Sequence, residues 1–534
     1  MRRILESGRQ RLVALAAPVP PVGWACLALT LLLGAYMFGH ALRGYPLRPW
    51  DEARPAVSAA EMALNGNWLV AHFGGRPDLW NVKPPLLVWL QAASIQLFGI
   101  SEGSVRLPTF AAAMATLLLL FGFAAWSLRN WRAGLLACAV LATSAGYVRW
   151  HVARTADADA LLVLWVTAQL VFFFLYAEHG RARDWWLFTA ALILAALTKG
   201  VAGLAALPAV AAYAFVRGIA LPTLLSRRAW VSALLFLLVV GGYYVARDAA
   251  SPGYLAYVWE SELRDRVLSP TPVDPQPWSY HLERLWNVDF QPWIGILVVL
   301  LLLVPWRRHP LPAAEGRAAV LILLFVATWL IVVSAVGTRL PWYSAPIFPP
   351  LALLTGLSLA HAWGLLKAKW TRPSRPRHIG VAIALLLFAP PALIQAARIE
   401  NEGGTVVRYR FYRDYLAGIA GTPLGRQPLT LLVPTIPRIG DLRPTNPSEP
   451  TPSYEPVFEF YRLAFADRGL RFTTYTTADI AALRPSDLVL VCDRETEQAF
   501  HRAYVSTPVQ RTPYCLVARI EAARDERVKA GRAA

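Results

Sequence analysis

The sequence of 534 residues is poor in charge: Asp, Glu, Lys and Arg make up 16% of it, while 56% of the residues are hydrophobic. A soluble protein of this length carries more charged residues. Cysteine is also scarce, because four residues are too few for a disulfide framework. Cys26 and Cys138 lie in apolar runs, whereas Cys492 and Cys515 lie near the C-terminus and could pair if that region is extracytoplasmic. These shortages exclude an ordinary soluble protein and a small disulfide-rich one.

The sequence also lacks a Gly-rich phosphate loop and a G-x-G-x-x-G fingerprint, so it has no ordinary nucleotide-binding motif. Its formal net charge of +18 could indicate a nucleic-acid partner. The basic residues, however, fall mostly in the links between apolar runs, where the positive-inside rule expects them. We therefore expect no nucleic-acid partner.

Long apolar runs are abundant. Runs of about 18 to 22 residues recur along most of the chain, and this length is enough to cross a bilayer. The predicted spans are 22–42, 104–126, 133–150, 157–178, 184–198, 200–217, 229–247, 291–306, 317–336, 343–366 and 379–397. The sequence therefore predicts an α-helical polytopic membrane protein with about 11 to 13 transmembrane helices.

The charges of the links predict the orientation. The basic segment MRRILESGRQR precedes an apolar run too long for a signal peptide, so we expect a retained span with its N-terminus in the cytoplasm. The run 84–99 is short and opens with two prolines. If it does not cross, the basic links lie on the side of the N-terminus, and if it crosses they all lie outside. We therefore expect 84–99 to lie on the outer membrane face or to dip into it.

Beyond residue 398 the pattern becomes that of a small α/β domain. PLTLLVP, DLVLVCD and YCLVARI are typical of short buried strands, and EPVFEFYRLAFADRG is typical of an amphipathic helix between the first two. A Pro-rich loop precedes this helix. We expect a membrane domain over residues 1–398 and an extracytoplasmic, periplasmic domain over residues 399–534, in the inner membrane of a bacterium.

This topology places most of the unusual polar residues on the outer face, in loops 43–103 and 248–290 and in the segments RWHVARTADAD and GTRLPWY. The first loop contains WDEAR, with Asp51, Glu52 and Arg54. A carboxylate pair at this place is a general base, a metal ligand or a solvated turn. Arg54 can pair with either acid, which fits the last alternative.

More charged residues follow on the same face. Lys83 precedes two prolines and either binds a phosphate or reaches lipid headgroups. Asp157 and Asp159 begin an apolar span, either as functional acids or as residues of its first turn. Arg264 follows Glu260 by one helical turn, which favours a surface salt bridge. Three further polar residues are Lys199, Arg339 and Tyr343, of which the first could anchor the membrane interface.

Together these residues suit a substrate with a phosphate at the bilayer surface and an apolar tail in the membrane. The cations would hold the phosphate as a leaving group, and a carboxylate would take a proton from an acceptor hydroxyl or amine.

The order of these motifs resembles the GT-C superfamily of polyprenyl-phosphate-dependent glycosyltransferases. Within it, the sequence is similar to the branch that contains protein O-mannosyltransferases and the aminoarabinose transferase of lipid A. The matching motifs are, in order, WDEAR, NVKPPLLVWLQAASIQLFGISEGSVRLP, TADADALLVLW, LTKG, ESELRDR and RLPWYSAPIFPPLAL. Their order and spacing, rather than any single motif, carry the resemblance.

The resemblance implies a role for each matching residue. Asp51 is expected to be the catalytic base that activates the acceptor, with Glu52 shaping the same loop. Asp159, or Asp157 in the alternative register, is expected to be a second acid of the outer cavity. Contacts with the donor phosphate are expected from Lys83, Arg264, Tyr343, Arg54 and Arg339.

The reaction that the resemblance implies is an inverting transfer of a sugar from a polyprenyl-phosphate donor to lipid A, a protein or another envelope glycan. The lipid A-modifying relatives carry Glu where this chain has Val82. Too few acids and histidines can be placed around Asp51 to assign a metal, so no cofactor is predicted and a divalent metal ion stays an alternative. The competing interpretation is a transporter or flippase of a lipid-linked sugar, which needs no catalytic base; the sequence shows no convincing repeat between its halves.

Overall fold

The computed structural model describes residues 19–42, 44–149, 151–268, 276–368, 375–400, 405–434 and 455–524. The predicted cytoplasmic N-terminus and most of the Pro-rich loop lie outside these ranges. The helices of the membrane region are α1 (Pro21–Gly39), α2 (Ala53–Asn65), α3 (Leu86–Phe98), α4 (Glu102–Gly122), α5 (Trp131–Thr143), α6 (Ala145–Val148), α7 (Asp159–His179), α8 (Ala182–Lys199), α9 (Leu207–Val216), α10 (Ala220–Leu224), α11 (Arg227–Phe236), α12 (Gly242–Ala250), α13 (Tyr254–Val258), α14 (Tyr280–Arg284), α15 (Trp293–Leu303), α16 (Ala313–Ala335), α17 (Phe348–Ala368) and α18 (Arg375–Glu400).

The C-terminal elements are α19 (Thr405–Ile419), β3 (Leu429–Val433), α20 (Pro456–Ala464), β4 (Phe472–Thr476), β5 (Leu488–Val491), α21 (Arg494–Ala503), β6 (Tyr504–Arg511) and β7 (Leu516–Ala523). A small hairpin of β1 (His72–Phe73) and β2 (Arg76–Pro77) lies between α2 and α3. The fold class, a polytopic helical membrane protein with a small C-terminal α/β domain, is confirmed. The boundary between residues 398 and 399 stays a prediction.

Eight helical segments of the described chain are long and apolar enough to cross a membrane, or nine if the bent pair Tyr280–Asp289 and Trp293–Leu303 is one span. This is fewer than the 11 to 13 expected. Two predicted spans, 133–150 and 200–217, form helices of only 13 and 10 residues. The first of these helices stops at Ser144, whose backbone is extended. The run 84–99 forms α3, whose 13 residues are too few for a straight span, as predicted.

The membrane helices pack closely where their facing residues are small. Helix α17 lies along α5, and a Cβ atom on Gly356 of α17 would come within 2.5 Å of the carbonyl oxygen of Ala133 and 2.8 Å of the backbone nitrogen of Ala137. Glycine therefore lets the two backbones approach to a distance that any side chain would prevent, as is common between membrane helices. Helices α5 and α17 therefore form a closely packed pair within the membrane region.

The C-terminal domain is a five-stranded sheet in the order β4-β3-β5-β7-β6. Strand β3 pairs in parallel with β4 and β5, while β7 pairs antiparallel with β5 and β6. The central strands β3, β5 and β7 coincide with the three predicted runs, and α20 is the predicted helix. The edge strands β4 and β6 were not predicted, because an edge strand with one solvent-facing side lacks a continuous apolar run.

The C-terminal domain contacts the loop that precedes α2. The hydroxyl of Tyr461, on α20, accepts a hydrogen bond from the backbone of Leu47 at 3.1 Å and donates one to Glu102 at 3.2 Å. Arg413 donates to the carbonyl oxygen of Gly44 at 2.7 Å. Within the domain, a disulfide joins Cys492 to Cys515. The two parts of the chain therefore share an interface at the WDEAR loop.

Candidate active site

A tight turn before α2 contains the two adjacent acids of the WDEAR motif, Asp51 and Glu52. Trp50 has a φ of 67°, in the left-handed region, and the backbone of Arg54 donates to its carbonyl oxygen at 2.9 Å. The turn leaves 42% of the side-chain surface of Asp51 exposed, whereas the side chain of Glu52 is 1% exposed. Neighbouring carboxylates therefore have different surroundings.

Glu52 is a structural anchor in this geometry. Its Oε1 accepts hydrogen bonds from Arg106 at 2.6 Å and from the backbone of Ala156 at 2.9 Å, and its Oε2 accepts one from the backbone of Arg48 at 2.8 Å. Burial opposes the ionisation of Glu52, but the charge and hydrogen bonds of Arg106 lower the pKa of this carboxyl below its usual value. Glu52 thus links the loop before α2 to α4 and to the segment before α7.

His151 lies between Asp51, Asp157 and Asp159. Its Nε2 lies 3.2 Å from Oδ2 of Asp51, and its Nδ1 lies 3.7 Å from both Asp157 and Asp159. One face of the ring stacks on Trp342 at 3.5 Å between centroids, with an angle of 6° between the planes. Burial works against protonation, but Asp157, Asp159 and Asp51 together raise the pKa of His151 to about 10.

The same histidine acts on Asp51. Burial alone would raise the pKa of the Asp51 carboxyl, but the hydrogen bond and charge of His151, aided by Arg54 and Lys83, lower it well below its usual range. Asp51 is therefore an ionised, acceptor-only carboxylate across the neutral pH range.

Asp157 and Asp159 stand at the start of α7 in different states. Lys199, the last residue of α8, donates to Oδ1 of Asp159 at 2.6 Å. Asp157 accepts a hydrogen bond from the hydroxyl of Thr155, and its other oxygen, Oδ1, is buried with no hydrogen-bond partner. Burial and the charges of Asp51 and Glu52 raise the pKa of Asp157 to about 7, although His151 opposes the shift.

These residues line a pocket that encloses about 620 Å³, counted with the open space at its mouth. Its polar wall includes Asp51, His151, Asp157, Asp159, Arg54, Lys83 and Lys199. Its apolar wall includes Leu87 and Val88 of α3 and the ring of Trp342. Cations, carboxylates and an apolar helix therefore meet in one space.

Five of the nine predicted site residues lie in this wall: Asp51, Asp157, Asp159, Lys83 and Arg54. Lys83 pairs with Glu262 at 3.0 Å, and Arg54 donates to the carbonyl oxygen of Trp80 at 3.3 Å. The pocket wall does not include Glu52, Arg264, Arg339 or Tyr343.

The last three form contacts from outside the pocket wall. Arg264 pairs with Glu260 at 2.6 Å, with about half of each side chain exposed, as its spacing predicted. Arg339 donates to the carbonyl oxygen of Ser334 at 3.0 Å. The ring of Tyr343 lies 5.6 Å from the ammonium group of Lys199. Tyr343 thus contacts Lys199 of the pocket wall but does not itself line the pocket.

Sequence reasoning missed His151, Trp342 and the role of Lys199 as the partner of Asp159. The sequence analysis singled out the segment RWHVARTADAD, but a lone histidine has no spacing pattern that marks it as part of a site. Within the described ranges, no group of three or more His, Cys, Asp or Glu side chains is arranged to hold a metal ion.

The fold and pocket define a polytopic membrane protein with a charged cavity beside a short apolar helix. Residues 82–244 match the family model described as dolichyl-phosphate-mannose-protein mannosyltransferase. The chain is also similar to two proteins named undecaprenyl phosphate-alpha-4-amino-4-deoxy-L-arabinose arabinosyl transferase. The one from Edwardsiella ictaluri is 28% identical over 344 residues, which are 62% of this chain and 58% of that protein. The one from Pseudomonas paraeruginosa is 30% identical over 362 residues, which are 65% of this chain and 61% of that protein.

The chain thus spans about three fifths of the length of these curated relatives. Among solved structures, it resembles ArnT from Cupriavidus metallidurans bound to undecaprenyl phosphate, with a TM-score of 0.65 and 20% identity over 93% of this chain and 98% of that one. The apo form of the same protein gives a TM-score of 0.62 at 19% identity, over 95% of this chain and 99% of that one. The chain has the ArnT fold, and its similarity to the family model and to the named arabinosyl transferases agrees with the resemblance to GT-C glycosyltransferases that the motifs indicated.

Proposed function

We propose that this protein is an integral membrane glycosyltransferase that moves a sugar from a polyprenyl-phosphate donor to an acceptor in the cell envelope, with inversion. The observation that carries the proposal is the pocket itself, where ionised Asp51 lies with Arg54 and Lys83 beside the apolar residues of α3. A lipid phosphate has the charge and the apolar tail that such a wall accommodates.

In the proposed step, the acceptor oxygen or nitrogen forms a bond to the anomeric carbon as the bond from that carbon to the phosphate oxygen breaks. The acceptor's proton passes to the carboxylate of Asp51, and the bonding electron pair leaves with the lipid phosphate. Lys83 and Arg54 stabilise the negative charge that develops on the leaving group. No other co-reactant is needed.

We further propose that the pocket opens on the extracytoplasmic face, the periplasmic side of a bacterial inner membrane. The Cys492–Cys515 disulfide supports this orientation, because such bonds persist in oxidising compartments. The hydrogen bond between Leu47 and Tyr461 also supports the proposal, because it joins loop 43–103 to the domain that contains the disulfide. The acceptor is lipid A, a protein hydroxyl or another envelope glycan.

The test is transfer by the purified protein from a panel of undecaprenyl-phosphate sugars to lipid A and to glycan acceptors. Asp51→Asn is expected to lose about 10³-fold or more in kcat while it still binds the donor, because a positioned base contributes on this scale. Glu495→Gln, an exposed carboxylate of α21, serves as the matched control and should keep full activity. Undiminished transfer by Asp51→Asn would remove the base assignment, and movement of the donor across vesicles without transfer would indicate a flippase instead.

A further inference from the structure

We infer that His151 is a positioning residue for Asp51: its ring, held between Trp342 and two acids at the start of α7, fixes the Asp51 carboxylate in the orientation that takes the acceptor's proton. The inference rests on the proposed role of Asp51 as the base. His151 also lines the pocket, but the role inferred for it is exerted through Asp51, so it is a positioning residue and not a catalytic one.

The backbone of His151 has an unusual conformation. His151 has a φ of 80°, a conformation that non-glycine residues adopt rarely and at a cost. The hydroxyl of Thr155 accepts a hydrogen bond from the His151 backbone nitrogen at 2.8 Å and thereby holds this conformation. The same hydroxyl donates to Asp157, so one threonine links the backbone of the histidine to one of the acids beside its ring.

The ring itself is constrained on its face and at both nitrogens. Trp342 covers one face at 3.5 Å, which leaves the ring little freedom to rotate. Nδ1 faces Asp157 and Asp159 at 3.7 Å each, while Nε2 points to Asp51 at 3.2 Å. An imidazolium with both nitrogens protonated suits this arrangement, because each N–H then faces a carboxyl group.

The surrounding charges explain why a cation is needed here. Three acids face the ring from two segments, Asp51 from the loop before α2 and Asp157 and Asp159 from the start of α7. Lys199 from α8 pairs with Asp159. On the far side of Asp51, Arg54 and Lys83 lie close enough to act on its charge. A neutral ring would leave Asp51 and Asp157 facing each other across an uncharged group, which favours protonation of Asp51 and its loss as a base.

Two substitutions separate the contributions of the ring. His151→Phe keeps an aromatic ring against Trp342 and removes both nitrogens, whereas His151→Gln retains an N–H that can reach Asp51 without the charge. We expect His151→Phe to lower kcat about 100-fold with a donor KM within about threefold of the parent, a loss on the scale of general-base catalysis. His151→Gln should recover at least about tenfold of this loss, because the hydrogen bond to Asp51 is rebuilt.

The pH profile supplies a readout that a purely structural role would not move. Asp51 must be ionised to act, and removal of the positive charge raises its pKa. The acid limb of the kcat/KM profile should therefore move to higher pH by about one unit or more in both variants. Wild-type kcat with an unmoved acid limb in both variants overturns the inference, and so does a raised donor KM at unchanged kcat, because His151 would then contact the donor.

A spectroscopic measurement keeps the inference testable even if both variants fold poorly. In the wild-type protein at pH 8, nitrogen-15 NMR of labelled histidine should show both ring nitrogens of His151 protonated, and a neutral ring overturns the inference. Asp51→Asn distinguishes the two levels of the argument. If Asp51→Asn transfers sugar normally, the proposed base fails; if it is inactive while the His151 variants are normal, only the role of His151 fails.

Discussion

Helix α7 carries one acidic residue near each end, Asp159 and Glu178, and the two residues have different surroundings. Asp159 is the first residue of α7, and Glu178 lies one residue before its last, about 28 Å away along the axis. Both side chains are at most 10% exposed, and both pair with cations from neighbouring segments. Buried charge alone therefore does not distinguish a site from a structural clamp.

The difference lies in the balance of charges. Glu178 is held by two guanidinium groups: Arg317 donates to its oxygens at 2.8 and 2.9 Å, and Arg217 donates to Oε1. At the other end, Asp51, Asp157 and Asp159 share His151 and Lys199 around an open pocket. Glu178 is enclosed by its two cations, whereas Asp51 is 42% exposed and faces the pocket, where a substrate can reach it. A functional site is therefore better indicated by charged side chains that face an open pocket than by buried charge alone.

The largest effect is expected from removal of the lysine at the pocket end. Lys199→Met leaves Asp159 buried without its ammonium partner, so we expect a loss of about 3 kcal/mol in the free energy of unfolding. We also expect a fall of about 100-fold in kcat, because the acids around His151 rearrange. Thermal unfolding in detergent and the transfer assay measure the two effects.

Arg217→Met is the matched control at the other end of α7. It leaves Glu178 paired with Arg317, and the partly exposed Arg217 contributes no more than about 1 kcal/mol. Its kcat should stay within about twofold of the parent. Equal losses in the two variants would contradict the contrast between the two ends of α7.

A smaller effect is expected from the cations proposed to hold the donor phosphate. Lys83→Ala removes an ammonium group from the pocket wall, so the donor KM should rise about tenfold. Arg264→Ala removes a half-exposed partner of Glu260 outside the wall, so its donor KM should change less than that of Lys83→Ala. Donor titrations of both variants measure these effects, and a larger effect at Arg264 than at Lys83 would contradict the assignment of Lys83 to the donor phosphate.

The smallest effect is a pH-dependent one at Asp157. Its pKa is raised from 3.8 to about 7, so the folded protein binds a proton more tightly than the unfolded chain does, and stability is lost as the pH rises through this interval. Asp157→Asn mimics the protonated acid and removes this dependence. Its Tm should be closest to that of the parent near pH 4, and should exceed it by about 3 °C or more at pH 8. A gap that does not widen between these pH values would argue against the buried acid.

The sequence predicted the parts of this molecule whose signal is local. Apolar runs located the spans, and the fully buried strands β3 and β5 were visible for the same reason. The structure has fewer spans than predicted because helices break at Ser144 and after α8. A continuous apolar run in the sequence does not show where the chain changes direction. The edge strands β4 and β6 were missed since their sequences contain too few apolar residues to signal a strand.

The order of the motifs predicted several residues of the candidate site but not the contacts between them. Asp51, Lys83 and Asp159 were found through the resemblance, but the choice between Asp51 and Glu52 as the pocket acid depends on the turn at Trp50. His151 lies 100 residues from Asp51 in sequence and 191 residues before Trp342 (342 − 151), so no spacing rule connects them. Contacts of this kind exist only after the helices have packed.

The bond between Tyr461 and Leu47 joins residues 414 positions apart. This hydrogen bond limits which chimaeras are expected to fold. A chimaera with the membrane helices of one relative and the C-terminal domain of another would need a matching hydroxyl at this interface. Tyr461 also reaches Glu102 at the start of α4, so a mismatch would disturb two segments at once. The two parts of the gene are thus expected to be inherited together rather than exchanged.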